Sequence, residues 1–269
     1  MTRGHPGPSG DPAEGAPPLT DWHDELAHGR FGAARRAFVL AGQGTPEVGR
    51  ALAELAEVEA LVRDKAWSRA VKRFGQIEDR PGIVPWGQLE ADLTTLQSSG
   101  EALDRRRPDD ALAALEQLRS GLFHAEAETQ RGTALIYDDR LEEAAGCFQR
   151  ALEADPRHFR ALTNLGNVAL EQGRVDDAIT AYERAIKLNE SFANAHHNLA
   201  VAYRRKGELG KSVRSLRRAQ RLMQQRDASD ARERLGSFAG GRSLRMLRWL
   251  LYAAVAIALY VVLHGRGVL

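Results

Sequence analysis

The chain has 269 residues and a formal net charge of +2, with 43% hydrophobic and 28% charged residues. This balance is typical of a chain that buries a hydrophobic core, and it excludes a protein that is disordered over its whole length. The single cysteine, Cys147, excludes an internal disulfide and a metal site built from several cysteines.

Residues 1–20 form the first segment and are rich in proline and glycine. They contain no apolar stretch, so we do not interpret them as a signal peptide. Their composition predicts a disordered N-terminal arm.

Residues 21–124 alternate apolar patterns of helix length with short breaks, and almost none of their sequence has the period of a strand. Two turn-rich stretches, 41–49 and 78–87, predict longer connections between helices. We therefore expect this half of the chain to consist of helical hairpins.

The next 102 residues divide without gaps into three segments of 34 residues, 125–158, 159–192 and 193–226. Small residues recur at two positions of these segments and bulky residues at a third. The small ones are Gly132 and Gly166, then Ala144, Ala178 and Ser212, and the bulky ones are Phe148, Tyr182 and Leu216. The small residues predict close helix contacts, which the bulky side chains fill.

These three segments resemble tetratricopeptide repeats, a family whose period is 34 residues. The resemblance implies an all-α fold, an α-solenoid of helix-turn-helix hairpins. The same register continues upstream as weaker copies that begin near residues 15, 51 and 92, so 21–124 are expected to be divergent hairpins of the same kind.

The resemblance also implies a function, because arrays of this family bind proteins or peptides in a concave groove lined by the first helix of each repeat. The expected partner is thus a protein or peptide, and the chain is expected to act as an adaptor or scaffold. The groove residues that the resemblance implies are Thr129, Thr133, Thr163, Asn164, Asn167, His197, Asn198 and Arg204.

Two motifs suggest other chemistry, but their spacing does not fit it. The stretch 207–212, GELGKS, has two residues between its glycines, whereas a phosphate-binding loop needs four. His196 and His197 are adjacent, so on a helix they point about 100° apart and do not chelate one metal ion. We expect no enzyme activity, no cofactor and no metal site.

The last repeat is strongly basic, because residues 193–226 contain nine Lys and Arg residues and a single acidic residue, Glu208. Clustered arginines neutralise phosphates, so nucleic acid is one possible partner. Anionic lipid head groups are the other, and we favour them because the basic run leads into an apolar tail. The oligomeric state does not follow from the sequence.

After residue 226 we expect a polar capping helix and a hinge within 227–243, a transmembrane helix at 244–264 and a short tail at 265–269. The span contains fifteen consecutive apolar residues, Trp249 to Leu263. Because three arginines precede it and only Arg266 follows it, the basic-side rule predicts a single-pass membrane protein with its repeats facing the cytoplasm. The alternative is a buried C-terminal helix of the folded domain.

Overall fold

The structure is a computed structural model, and it describes residues 21–42, 44–240 and 252; the side chains of 230 and 233–240 are not described. Within these ranges there are twelve helices and no strand, which confirms the predicted all-α class for this part of the chain. The helices are α1 (Trp22–Ala27), α2 (Phe31–Ala41), α3 (Pro46–Arg63), α4 (Trp67–Gly75), α5 (Trp86–Asp104), α6 (Pro108–Leu115), α7 (His124–Tyr137), α8 (Leu141–Ala154), α9 (Phe159–Glu171), α10 (Val175–Leu188), α11 (Ala193–Arg205) and α12 (Leu209–Gly240).

The helices pair in chain order, and every pair is joined by a turn of three residues. The middle residue of each turn has a positive φ: Gly29, Lys65, Arg106, Asp139, Gly173 and Gly207. In each turn the amide of the third residue donates to a carbonyl five residues earlier, as Arg174 N does to Ala169 O at 2.8 Å. This is the hydrogen bond that ends a helix through a left-handed residue, so one local device closes all six hairpins.

The chain divides into two compact units, one ending at Glu190 and the other beginning at Ser191. The first unit contains α1–α10 and the second contains α11 and α12.

The core of the first unit begins in the divergent hairpins and continues into α7. Phe31, Leu52 and Phe74 are fully buried there, and Phe123 and Ala127 belong to the same cluster. The hairpins upstream of residue 124 are thus packed onto the start of the 34-residue repeats.

The small and bulky positions of the repeats meet as their spacing predicts. A Cβ atom added to Gly132 would lie 2.6 Å from Phe148 Cε1, and one added to Gly166 would lie 2.6 Å from Tyr182 Cε1. Each contact joins the two helices of one hairpin, and Phe148 also clusters with Val168 of the following hairpin.

The structure distributes the extra residues of the upstream hairpins differently from the prediction. Only four residues separate α2 from α3, because the turn-rich stretch 41–49 contains the start of α3, where Thr45 caps Val48 N. The second stretch does form a longer connection, since α4 ends at Gly75 and α5 begins at Trp86.

Residues 227–240 also differ from the expected capping helix and hinge, because α12 runs unbroken from Leu209 to Gly240. Ser229, one of the expected capping residues, donates its hydroxyl to Arg226 O at 2.7 Å and caps no new helix. The segment is thus a continuation of α12.

The structure contradicts the predicted localisation. That prediction was a single-pass membrane protein with its repeats facing the cytoplasm. No helix in the described ranges is both long enough and apolar enough to span a bilayer. At 32 residues α12 would be long enough, at about 48 Å, but arginines recur along it. The segment predicted to span, 244–264, lies outside the described residues except for Tyr252, and so does the arm 1–20.

Candidate functional site

Two first helices of neighbouring hairpins, α7 and α9, lie against each other and hold the predicted groove residues of the first unit. Asn164 on α9 donates its amide Nδ2 to Thr133 Oγ1 on α7 at 3.3 Å. The Thr133 hydroxyl in turn donates to Thr129 O at 2.8 Å. Both side chains are half-buried, so this hydrogen bond links the two helices at a surface that solvent reaches.

Asn167 lies one turn further along α9 and is also half-buried. Its Oδ1 accepts a hydrogen bond of 2.8 Å from the hydroxyl of Tyr182, a residue that is fully buried on α10. Because the tyrosine fixes which end of the amide is the acceptor, Asn167 has a defined orientation. We call Thr133, Asn164 and Asn167 the α7–α9 surface.

The structure corrects the prediction for Thr129 and Thr163, because both are buried and do not lie on a groove surface. Their hydroxyls donate to the carbonyls one turn earlier, Ala125 O at 2.7 Å and Phe159 O at 2.9 Å. Thr129 also lies 3.4 Å from His158 Nδ1. These threonines satisfy their polar atoms inside the protein.

The other three predicted groove residues belong to α11 in the second unit. His197 and Arg204 are exposed, and Asn198 is half-buried. All three lie on one side of α11.

A buried ionic cluster, which the sequence analysis missed, lies at the start of α7 and α9. Glu126 is 4% exposed and accepts two hydrogen bonds from Arg160 Nη1, at 2.9 and 3.0 Å, while His158 Nε2 lies 3.3 Å away. Burial by itself would raise the pKa of the Glu126 carboxyl, but the charge of Arg160 and the contacts with His158 and Gln130 lower it overall. Glu126 and Arg160 are 34 residues apart, so they occupy the same position in successive repeats. The repeat period therefore indicates that the two side chains belong to neighbouring first helices.

The turns of the upstream hairpins reach this end of the array. Arg30 donates to Ala154 O at 2.9 Å, and Arg63 pairs with Asp155 at 2.9 Å. Burial, and then the charge of Arg160, lower the pKa of Lys65 in the α3–α4 turn. These contacts cover the N-terminal ends of α7 and α9. The α7–α9 surface lies further along the two helices, where solvent still reaches it.

A second buried carboxylate occupies the opposite side of α7. Glu128 is 2% exposed and pairs with both Arg131 and Arg150, and cavities of about 400 and 430 Å³ flank this group. Arg131 stands where the repeat pattern usually has leucine, which is the signal in the sequence for this polar junction. Burial, and then the charge of Glu128, raise the pKa of Cys147, which disfavours its nucleophilic thiolate form.

Comparison with known proteins agrees with the repeat register. A profile described as tetratricopeptide repeat matches residues 129–189 and again 163–222. No curated protein matches the chain.

Among solved structures, a crystal structure of MamA is 22% identical with a TM-score of 0.43, and the match covers 64% of this chain and 96% of that one. YrrB, described as a TPR protein with an unusual peptide-binding site, is 19% identical with a TM-score of 0.40 and coverages of 61% and 82%. The second TPR of Spaghetti (RPAP3), bound to the HSP90 peptide SRMEEVD, is 20% identical with a TM-score of 0.36 and coverages of 45% and 98%. The family match covers residues 129–222, about a third of the chain, and these residues are similar to tetratricopeptide repeats.

Proposed function

We propose that this protein is an adaptor that binds a protein or peptide partner on the first helices of its repeats. The observation that carries the proposal is the α7–α9 surface, where Thr133, Asn164 and Asn167 are half-buried and oriented by hydrogen bonds. The tetratricopeptide match supports the same reading.

The chemistry of this surface suits a peptide backbone. An asparagine amide has both a donor and an acceptor, as a peptide group does, and can therefore pair with an extended ligand. The contacts with Thr133 and Tyr182 already restrict Asn164 and Asn167. These two side chains would therefore lose less conformational entropy when a ligand binds them.

We propose a second, separate contact surface on α11 in the second unit. Its Arg204 is exposed and would form a charge-assisted hydrogen bond with a carboxylate of the ligand. Asn198 and His197 would add polar contacts, so a ligand with an acidic side chain or a free C-terminus is expected.

The test uses random peptides displayed on phage and selected against the full chain. Replacing Asn164, Asn198 and Arg204 together with Ala changes both surfaces and should weaken the selected peptides by about tenfold or more, whichever surface they bind, because a few contacts dominate the affinity of an interface. Substitution of Thr180 and Lys187, which are exposed on α10, provides the matched control and should leave affinity unchanged.

Circular dichroism of both variants should show unchanged helicity, since surface substitutions alter stability little. If the triple variant binds the selected peptides as tightly as the wild type, the proposed surface does not bind them.

A further inference from the structure

An exposed apolar stripe follows one face of α12 in the second unit. Leu209, Val213, Leu216 and Met223 are 64%, 47%, 37% and 40% exposed. Their spacing of four, three and seven residues places them on the same side of the helix. Four large apolar side chains in one row indicate a contact surface.

The corresponding face is covered in an earlier repeat of the same chain. The register positions of Leu209, Val213 and Leu216 are held on α8 by Leu141, Ala145 and Phe148. Phe148 is fully buried, and the cluster that contains these residues also includes Leu165 and Val168 of α9. One helix of the array thus shows what covers this face: a following helix that contributes apolar residues three positions apart.

The charge around the stripe restricts what such a helix can be. Arg217 follows Val213 by four residues and borders the apolar row, Arg214 and Arg221 lie further round the same side of the helix, and Arg218 lies on the opposite face. None of these four exposed arginines makes an ion pair with any residue in the described part of the chain. Glu208 pairs with Lys206 at 3.4 Å and Lys211 at 2.5 Å, and the next acid along the chain, Asp227, follows Arg221 by six residues. The edge of the row beside Arg217 therefore has an excess of positive charge between Glu208 and Asp227.

We infer that this face of α12 docks an acidic amphipathic helix of a partner protein, in the way that α9 packs on α8. The partner helix places leucine or valine residues three and four positions apart on the stripe and its Asp or Glu residues beside the arginines. Charge complementarity sets the orientation and speeds association, and the apolar contacts supply most of the affinity. This inference is independent of the α7–α9 surface.

The experiment measures fluorescence anisotropy of a labelled synthetic helix with the full chain. The probe carries Leu and Val at the spacing of Leu165 and Val168 and Glu at its flanking positions. A scrambled peptide of the same composition is the control probe. The expected result is that the helix binds, that the scrambled peptide does not, and that affinity falls as salt concentration rises.

Matched variants locate the binding. Val213→Asp combined with Leu216→Asp should weaken the helix by about tenfold or more, because central apolar contacts dominate such interfaces. Val39→Asp combined with Leu40→Asp is the control, since both residues are 69% exposed on α2 in the other unit, and it should leave binding unchanged. The Asn164, Asn198 and Arg204 variant should also retain binding, which separates this test from that of the proposed function.

Five results would overturn the inference. The probe helix fails to bind, or the scrambled peptide binds equally well. Short duplex DNA binds more tightly than the helix and loses affinity when Arg217 and Arg218 are replaced with Glu. Sedimentation shows a dimer that the stripe variant abolishes, so that a second copy is the occupant. The helix binds only after removal of residues 241–269, so that the chain's own tail is the occupant.

Discussion

At the scale of single residues, Glu126 and Arg160 form an ion pair in which both side chains are buried. The Arg160 side chain is 8% exposed and that of Glu126 is 4% exposed, so water does little to solvate either charge. Each depends on the other, and removing one leaves a buried ion without its partner.

Glu126→Gln should therefore lower the free energy of unfolding by about 3–5 kcal/mol, since it leaves the Arg160 charge uncompensated. Asp177→Asn is the control, because its pair with Arg174 is more than half exposed and its loss should cost less than about 1 kcal/mol. Urea denaturation followed by circular dichroism measures both variants.

The same pair makes stability depend on pH. Because the folded protein lowers the pKa of Glu126, its contribution is present above the ordinary value of about 4.3 and is lost as pH falls through the folded pKa. The stability difference between wild type and Glu126→Gln should shrink below that pH. A difference that stays constant from neutral to acid pH would show that the carboxylate charge does not stabilise the fold.

At the scale of helices, glycine within a repeat has two different environments. Gly166 on α9 faces Tyr182, whereas Gly146 on α8 has only the end of the Arg150 side chain nearby, 3.6 Å from an added Cβ. The same substitution should thus have opposite effects at the two positions.

Gly166→Ala should destabilise the protein by about 1–3 kcal/mol, because the fully buried tyrosine has to shift. Gly146→Ala should stabilise it by about 0.5–1 kcal/mol, since alanine loses less backbone entropy in a helix. Thermal unfolding of the two variants distinguishes these effects. Two shifts of the same sign would contradict the close contact of α9 with α10.

The elements also show what sequence can predict. The contact of Gly132 with Phe148 follows from the repeat period, because both partners belong to one hairpin and their spacing is fixed by helix geometry. The unbroken α12 did not follow, because Asp227 and Ser229 are residue types that cap helices as well as occur within them.

At the scale of the whole molecule, the repeat register fixes the exposure of only some of the proposed groove residues. Thr133, Asn164 and Asn167 reach a surface as their register predicts, whereas Thr129 and Thr163 are buried. The N-terminal ends of α7 and α9 are covered by contacts between residues that are distant in sequence. Arg63 contacts Asp155, which lies 92 positions away, and Arg30 contacts Ala154 O, which lies 124 positions away. No local pattern encodes such contacts.

The central claim is that a peptide binds on the α7–α9 surface, and site-specific photo-crosslinking tests it most directly. A photoreactive phenylalanine analogue would replace Thr133 in one variant and Thr180, which is exposed on α10, in another. With a peptide selected against the full chain, the account predicts crosslinking from position 133 and none from position 180. Equal crosslinking from both positions, or crosslinking from position 180 alone, would contradict it.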